Sequence, residues 1–304
     1  MRKISIITIN YNSADDTLKM VESIRAVSSE CHEIIVVDNN SLFEDYEKLT
    51  PLKMAKNVKV IRSRINLGFS GGNMFGVEHA APDAEYYLFL NNDTTLLTDI
   101  PEELWEVCSN NPRVGLTSAQ QYDEHNNLVS SFGNFPNIAE RLLGKSFARW
   151  LKKDTRHNSK KTYDEIISVE VVSGAAMFFR RECFDAIGGF DTHFFLYCEE
   201  EDISQRTWNA GYQVQFLSSS KLMHFCGKST QRNLSIEREF IISYFRLLDK
   251  HFHLTKRMLL KTLFALKYFK KAVKNKNYLS LFCFVLNTNK ASESLRHKQV
   301  IAKK

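Results

Sequence analysis

The chain has 304 residues, of which 43% are apolar and 25% charged. These fractions are typical of globular proteins and exclude bulk disorder, while 12 glycines and 5 prolines exclude collagen-like and low-complexity chains. The length predicts one large domain or two small ones, with a core that needs no disulfide or metal to fold.

Cysteine usage and hydropathy indicate the cellular compartment in which the protein is expected. The six cysteines form no Cys-x-x-Cys pair, which indicates reduced thiols in a cytosolic protein. The first apolar run is too short for a signal peptide. No stretch approaches the about 18 apolar residues that a spanning helix requires. We therefore expect a cytoplasmic protein.

The formal net charge of +6 is unevenly distributed. Residues 251–304 carry 13 Lys or Arg and one acid, Glu293, so this segment holds +12 and the rest of the chain −6. We expect the basic segment to meet an anionic membrane surface; the alternative is a solvated helix face that only keeps the protein soluble. No nucleic-acid recognition motif accompanies it, so no nucleic acid partner is expected.

The first 120 residues alternate between two patterns. Short apolar runs rich in β-branched residues predict strands at 3–9, 33–38, 58–62, 86–90 and 114–119. Between them lie predicted helices: one that Ser13 and Asp16 open as a capping box, one near 72–80 and one at 101–110. Buried strands alternating with helices predict an α/β fold with a mostly parallel sheet covered on both faces.

The rest of the chain is less regular. Residues 137–168 are basic and weakly periodic, which predicts a variable insertion. Beyond it the pattern predicts a strand at 169–179, a short helix ending at Gly188 and Gly189, a helix from about Glu201 to Gly211, a strand at 213–217, and helices from 235 and over 255–274.

Polar clusters follow the predicted strands. The carboxyl ends of parallel strands form a ligand-binding edge, so we expect these clusters to lie together: residues 10–11, 38–41, 66–73 and 91–93. Asp93 is a plausible Mg²⁺ or Mn²⁺ ligand, and Asp38 a plausible acceptor for a base or ribose; for both, an Asx turn is the plainer alternative. Gly68, Gly71 and Gly72 would let backbone N–H groups approach a ligand.

The acidic run 199–202 is the most informative feature. Acids at a helix N-terminus complement the helix dipole, which accounts for Glu201 and Asp202. Glu199 and Glu200 follow an aromatic segment, and crowding beside apolar surface should raise their pKa values, as suits a general base. A lone histidine such as His224 is more often structural, but it would become a metal ligand if it lay near Asp93.

Taken in order, these motifs resemble the family 2 glycosyltransferases with the GT-A fold, and especially bacterial rhamnosyltransferase-type enzymes of surface polysaccharide synthesis. The resemblance covers about residues 3–250. It rests on the segments 7–12, 35–41, 66–73, 90–94, 173–181, 188–191 and 194–197 with its acids, and on His224 with Gly227, Ser229 and Thr230.

The resemblance implies an inverting transfer from a nucleotide diphosphate sugar, dTDP- or UDP-linked and with rhamnose as the best guess. The acceptor would be a hydroxyl of a glycan or a lipid-linked saccharide. It further implies Mg²⁺ or Mn²⁺ as cofactor. With the basic segment, it predicts a peripheral position at the inner face of the cytoplasmic membrane.

The resemblance also assigns residues by position. Glu200 takes the place of the catalytic base, supported by Glu199. Asp93 would hold the metal, with His224 and Asn91 completing its site. The nucleotide sugar would meet a larger set: Thr8, Asn10, Tyr11, Asp38, Asn40, Asn66, Gly68, Phe69, Gly72, Asn73, Asn91, Asn92, Asp93, Gly174 and Ala175.

Two departures from the family pattern keep an alternative open. Asn91 stands where the family has an aspartate, and Glu200 stands where aspartate is usual. The alternative is a non-catalytic sugar-nucleotide or glycan-binding module on the same fold. A nucleotidyltransferase is less favoured, because residues 10–13 lack its glycine-rich, arginine-containing loop. The Gln-x-x-Arg-Trp motif of processive synthases is also absent, which predicts addition of single sugars.

The predicted domain organisation follows from these assignments. A GT-A catalytic domain spans 1–234, with a nucleotide-binding half at 1–120 and an acceptor and catalytic half at 121–234 that contains the insertion 137–168. A helical basic extension follows at 235–304.

Overall fold

The computed structural model describes residues 3–143, 157–225, 233–287, 291–299 and 301. Part of the predicted insertion, 144–156, lies outside the described residues. So do Cys226 and the motif residues Gly227, Ser229 and Thr230.

The described residues form a central sheet with the strand order β3-β2-β1-β4-β10-β6-β11-β5, with β8 also pairing β11 and a separate β7-β9 pair. The strands are β1 (Ile4–Asn10), β2 (Glu33–Asp38), β3 (Val58–Arg62), β4 (Tyr86–Leu90), β5 (Thr94–Leu96), β6 (Val114–Tyr122), β7 (Phe132–Gly133), β8 (Ile167–Ser168), β9 (Val171–Val172), β10 (Ala176–Arg180) and β11 (Gln213–His224).

The helices cover both faces of this sheet and extend beyond it. They are α1 (Ala14–Val27), α2 (Phe43–Glu47), α3 (Thr50–Lys53), α4 (Gly68–Val77), α5 (Ile100–Asn110), α6 (Ile138–Leu143), α7 (Arg181–Ala186), α8 (Glu199–Asn209), α9 (Leu234–His251), α10 (Leu254–Lys274) and α11 (Leu279–Leu286). Short 3-10 helices lie at Lys276–Tyr278, Ala291–Glu293 and Leu295–Lys298.

The N-terminal half is parallel, as predicted. Strands β3, β2, β1 and β4 pair in parallel, and Asn10 lies opposite Asp38 at their carboxyl ends. Alternate side chains of each strand enter two separate cores: Ile6 and Val36 on one face, Ile7 and Val37 on the other. Burial on both faces explains why these strands are continuous apolar runs rather than alternating ones.

The second half of the sheet is mixed, which corrects one predicted strand. Instead of one strand at 169–179, the chain forms β8, β9 and β10, separated by turns. Strand β10 lies antiparallel between β4 and β6. The predicted strand 213–217 continues to His224, because after an irregularity β11 resumes pairing with β6 and also pairs with β5.

The predicted capping box at Ser13 does not form. Ser13 makes no side-chain cap bond; its Oγ instead accepts from Asn92 Nδ2 at 2.7 Å. The Ala14 N–H donates to Asp45 Oδ1 at 3.0 Å, so a distant carboxylate satisfies the start of α1. Helix α4 begins at Gly68 rather than 72, and α8 at Glu199 rather than 201.

The C-terminal helices share a core with the middle of the chain. Phe194 and Cys198 are buried among side chains of α9, α10 and α11, including Tyr244, Phe264 and Phe284. Helix α9 begins one residue before the predicted domain boundary at 235, and the division into domains remains a prediction. Within the described residues, no helix is both long and apolar enough to span a bilayer.

Candidate active site

The carboxyl ends of β1 and β2 meet through buried polar side chains. Asn10 Nδ2 donates to Asp38 Oδ1 at 3.0 Å and to Ser41 Oγ at 3.1 Å. Arg62 Nε lies 3.1 Å from Asp38 Oδ2, and Asp38 is fully buried. Protein partners therefore engage this carboxylate, which locks the strand ends together. Its contact with a base or ribose stays a prediction.

Other predicted nucleotide-binding residues lie around the same strand ends. Tyr11 is 45% exposed, so its ring is accessible to a ligand. Asn40 is half-buried and adopts a left-handed conformation with φ 66°. Thr8 is buried, and within the described residues its Oγ1 has no hydrogen-bond partner. Tyr11 and Asn40 thus lie where a ligand could reach them from solvent.

The glycine-rich segment packs against protein. Gly68 has φ +71°, and a Cβ there would collide with the carbonyl oxygen of Phe195. The Phe69 N–H donates to that same carbonyl at 2.7 Å. A Cβ on Gly72 would lie 2.8 Å from Ile9 Cδ1. Close packing against the protein accounts for both glycines, and their predicted contact with the nucleotide sugar stays a prediction.

Asparagines connect this segment to the sheet. Asn39 Nδ2 donates to Asn66 Oδ1 at 3.0 Å, and the Gly68 N–H donates to the same oxygen at 2.8 Å. Asn73 Nδ2 donates to the Phe69 carbonyl at 3.1 Å. The predicted polar clusters 38–41 and 66–73 therefore lie together, as expected.

The three residues after β4 have different environments. The Asn91 N–H donates to the Ala175 carbonyl at 3.0 Å, which brings the Gly174–Ala175 turn beside this element. The buried Asn92 donates inward, to Ser13 Oγ and to Thr17 Oγ1 at 2.9 Å. These bonds support a structural role for Asn92, and its predicted contact with the nucleotide sugar stays untested.

Asp93 and His224 meet at the junction of β5 and β11. His224 Nε2 lies 3.3 Å from Asp93 Oδ1, and both side chains are mostly buried. On the other side of the ring, Nδ1 lies 3.1 Å from Gln121 Oε1. This pairing orients the imidazole so that its Nε2 faces the carboxylate. Sequence reasoning missed Gln121, whose only signal was its position near the end of β6.

The Asp93–His224 pair fits a divalent cation. A carboxylate oxygen and an imidazole nitrogen are common ligands of Mn²⁺, and they converge here. No group of three or more His, Cys, Asp and Glu side chains within the described residues could hold a metal. The protein would thus supply two such ligands, with Asn91 on the same turn, and leave positions for ligand oxygens.

A strained turn precedes the acidic helix α8. Tyr197 and Cys198 both adopt left-handed conformations, with φ 72° and 64°, directly before Glu199. Ser243 Oγ of α9 donates to the Leu196 carbonyl at 2.8 Å and holds the turn. Non-glycine residues adopt this conformation only where surrounding structure imposes it. The turn sets the direction in which each of the four acids projects.

Glu200 faces the Gly174 turn. The side chain of Glu200 lies against the backbone of Gly174. A Cβ on residue 174 would lie 2.6 Å from Glu200 Oε1, so only glycine leaves room for this carboxylate. Burial raises the pKa of Glu200, partly offset by backbone hydrogen bonds. A carboxylate with a raised pKa is suited to accept a proton near neutral pH.

The neighbouring acids have other surroundings. Glu199 is 4% exposed, and burial together with the charge of Glu200 raises its pKa well above the usual range. Within the described residues its Oε2 has no hydrogen-bond partner. Burial and Glu200 also raise the pKa of Glu201 to about 7. The three heavy atoms nearest to a Cβ placed on Gly174 all belong to Glu200, so this side chain faces the turn.

The candidate site is therefore one connected set of contacts. Asn91 lies two residues before Asp93 of the Asp93–His224 pair, and its N–H donates to the Ala175 carbonyl. The adjacent Gly174 lies against the side chain of Glu200. A potential metal ligand pair and a potential base thus flank one small-residue turn. Such an arrangement can stabilise negative charge at one end and remove a proton at the other.

The chain is similar to known glycosyltransferases in sequence. Residues 5–188 match the family described as glycosyl transferase family 2. The chain is 21% identical over 263 residues to the N-acetylglucosaminyl-diphospho-decaprenol L-rhamnosyltransferase of Mycobacterium tuberculosis, covering 81% of this chain and 84% of that protein. It is 24% identical over 235 residues to the rhamnosyltransferase WbbL of Escherichia coli K12, covering 72% and 82%.

Solved structures share the fold. GalNAc-T7 with UDP, GalNAc and Mn²⁺ matches at a TM-score of 0.62 and 17% identity over 82% of this chain, which spans only 48% of that protein. The mannosyltransferase PcManGT from Pyrobaculum calidifontis, in complex with GDP-Man and Mn²⁺, matches at a TM-score of 0.58 and 13% identity. The match covers 96% of this chain and 86% of that chain. The predicted GT-A fold is confirmed. The family match spans more than half of the chain, which therefore belongs to glycosyl transferase family 2 and is a sugar-transferring enzyme.

Proposed function

We propose that this glycosyltransferase moves a sugar, with rhamnose as the leading candidate, from a dTDP- or UDP-linked donor to a hydroxyl of a glycan or lipid-linked saccharide. The observation that carries the proposal is the Gly174–Ala175 turn, held by Asn91 on one side and facing Glu200 on the other. The names of two relatives, both rhamnosyltransferases and one acting on a decaprenol-linked compound, support the sugar and the acceptor class.

The proposed reaction inverts the anomeric centre. The acceptor oxygen attacks the anomeric carbon while the bond to the diphosphate breaks, and the diphosphate leaves with the bonding electrons. Glu200 takes the acceptor's proton, and its raised pKa suits this role. Gly174 and Ala175 line the donor sugar, because they lie between the base and the Asn91 turn.

Asp93 and His224 would hold Mg²⁺ or Mn²⁺, with Asn91 beside them. Such a cation, when bound, neutralises negative charge on the departing diphosphate. Asn91 in place of a carboxylate leaves the protein with fewer charged ligands. We therefore expect the donor diphosphate to contribute a large share of the metal's coordination.

The nucleotide would lie over the carboxyl ends of β1 and β2. Tyr11 is exposed there and Asn40 is half-buried, so these two are the proposed direct contacts with the nucleoside. At these strand ends Asn10 donates a hydrogen bond to Asp38, so Asn10 would hold the Asp38 carboxylate in position for its proposed contact with the base or ribose. We also propose that the enzyme works at the inner face of the cytoplasmic membrane, where a lipid-linked acceptor would be found.

The second candidate, a non-catalytic sugar-nucleotide-binding module, is favoured by one observation: Asn91 lacks the charge of the family's aspartate. An assay of purified protein with a panel of nucleotide sugars, with and without Mn²⁺ or Mg²⁺, separates the two. Metal-dependent release of nucleoside diphosphate from one donor, with an inverted product seen by NMR once an acceptor is supplied, is the expected result. Donor binding without release for every lipid-linked and free acceptor would favour the module.

A further inference from the structure

Helix α10 has two apolar faces. One is buried: Leu260, Phe264 and Tyr268 are at most 3% exposed and pack in the C-terminal core. The other faces solvent and consists of five side chains that are 42–72% exposed, which we call the apolar stripe: Met258, Leu259, Leu266, Phe269 and Val273.

The apolar stripe runs along one side of the helix, with the exposed Thr262 among its side chains. At about 100° per residue, its five side chains fall within an arc of about 100°, on the side opposite the buried face. Helix α11 packs beside it, with the Phe269 and Phe282 ring centroids 5.4 Å apart, and exposes Leu279 and Leu286 as well. Large exposed apolar side chains gathered on one surface are typical of an interaction site.

Positive charge borders the apolar stripe. Between residues 254 and 274 there are seven Lys or Arg and no acid. Arg257 and Lys261 pair with Asp249 of α9, on the protein side of the helix. Lys270 and Lys274 are exposed and follow the apolar stripe around the helix. The outer surface of α10 therefore combines apolar side chains with cations that face solvent.

We propose that the apolar stripe of α10 docks the enzyme onto an anionic lipid bilayer, with the helix lying in the plane of the interface. Apolar side chains beside lysines are the pattern of interfacial helices, whose apolar face enters the headgroup region while lysines meet anionic lipids. A second copy of this chain fits less well, because pairing two such faces would bring their lysines together. This proposal rests on the proposed function in one respect: docking on a membrane would bring the enzyme to a lipid-linked acceptor. Membrane binding itself needs neither donor nor acceptor, so the two proposals can fail separately.

The test is flotation of the full-length protein with vesicles of phosphatidylcholine alone or mixed with phosphatidylglycerol. We expect binding to the mixed vesicles, weakened by salt, and little binding to phosphatidylcholine. The variant Leu266→Gln/Phe269→Gln/Val273→Gln should lose binding at least about tenfold, and Lys270→Gln/Lys274→Gln about tenfold. Four of these five side chains are exposed without a ring contact, so thermal unfolding should change only through the loss of the Phe269–Phe282 contact, which Phe269→Gln alone would show.

Matched controls remove exposed side chains elsewhere. Met54→Gln/Leu97→Gln and Lys160→Gln/Lys161→Gln should bind vesicles as the unaltered protein does. Failure of the unaltered protein to bind anionic vesicles would overturn the proposal. So would equal losses in the control variants, or light scattering that finds a dimer which the three-residue variant converts to a monomer.

Discussion

At the scale of single residues, the environment of each acid decides its role. Glu199, Glu200 and Glu201 are adjacent in sequence and have raised pKa values, and the Glu200 carboxylate lies against the Gly174 turn. The resemblance to the family assigned the base to this position. The direction of each side chain depends on where the helix begins, which the sequence alone did not predict correctly. The left-handed residues Tyr197 and Cys198 let the helix begin at Glu199, two residues before the predicted start.

Glu199→Gln should change how stability depends on pH. The raised pKa of buried Glu199 means that the folded state keeps its proton while the unfolded state loses it above about pH 4.3. Stability of the unaltered protein therefore falls as pH rises from 5 to 7, by up to about 1.4 kcal/mol per pH unit for this group. Urea unfolding at both pH values should show the variant gaining stability relative to the unaltered protein as pH rises. An unchanged difference would show that Glu199 ionises normally.

Gly174→Ala should impair catalysis while leaving the protein folded. Its Cβ would occupy space 2.6 Å from Glu200 Oε1 and force the carboxylate away. We expect kcat to fall at least about tenfold, since small displacements of reacting groups have large effects on rate. Gly133→Ala is the matched control, because its Cβ would make only an ordinary 4.0 Å contact with Val171. Equal activity of the two variants would argue against a working contact between Gly174 and Glu200.

At the scale of elements, the sequence predicted local order well and long-range pairing poorly. Strands β1, β2 and β4 were evident from buried apolar runs. Strand β5 has only three residues and exists because it pairs with the far end of β11, more than 120 residues away. Gly68 shows the same limit of sequence-based prediction. The glycine-rich pattern around it could be recognised in the sequence, but its contact with Phe195 could not.

Gly68→Ala tests the contact between the glycine-rich segment and the turn before the acidic helix. The variant combines a left-handed backbone with a collision against the Phe195 carbonyl. Gly211→Ala is the control, because Gly211 has φ +84° but no atom within 4 Å of its Cβ position. Conformational strain alone costs about 1–2 kcal/mol, so Gly68→Ala should lower the free energy of unfolding by clearly more than the control. If urea unfolding showed the same loss of free energy for both variants, the glycine-rich segment would be able to move away from Phe195 at no cost.

At the scale of the whole molecule, the C-terminal helices pack against the acidic helix α8 and the turn before it. Asp202 of the acidic helix is 1% exposed and lies 2.8 Å from Arg206 Nη2 and 2.7 Å from both Lys250 Nζ and His251 Nε2. Although burial opposes it, the His251 hydrogen bond and the charges of Arg206 and Lys250 lower the pKa of Asp202. The helix carrying the proposed base is thus fixed to α9. The sequence predicted a basic extension but not this attachment, which depends on tertiary packing.

Asp202→Asn should therefore destabilise the protein strongly. Removing the charge leaves the mostly buried Arg206 without its carboxylate partner, while Lys250 keeps Asp191, and we expect a cost of about 3 kcal/mol in the free energy of unfolding. Asp15→Asn provides the comparison, because Asp15 pairs with Lys48 at the exposed surface and should matter little. Both are measured by urea unfolding at pH 7. Equal stability of the two variants would show that α9 does not anchor the acidic helix.

The most direct test of the account compares Glu200→Gln with Glu201→Gln in a sugar-transfer assay with the donor identified from the nucleotide-sugar panel. Each variant removes one carboxylate from the same helix turn, so the general effect on charge is matched. The account predicts that Glu200→Gln lowers kcat at least about 100-fold with little change in donor binding, while Glu201→Gln keeps most activity. Full activity in Glu200→Gln, or an equal loss in both variants, would contradict the assignment of the base.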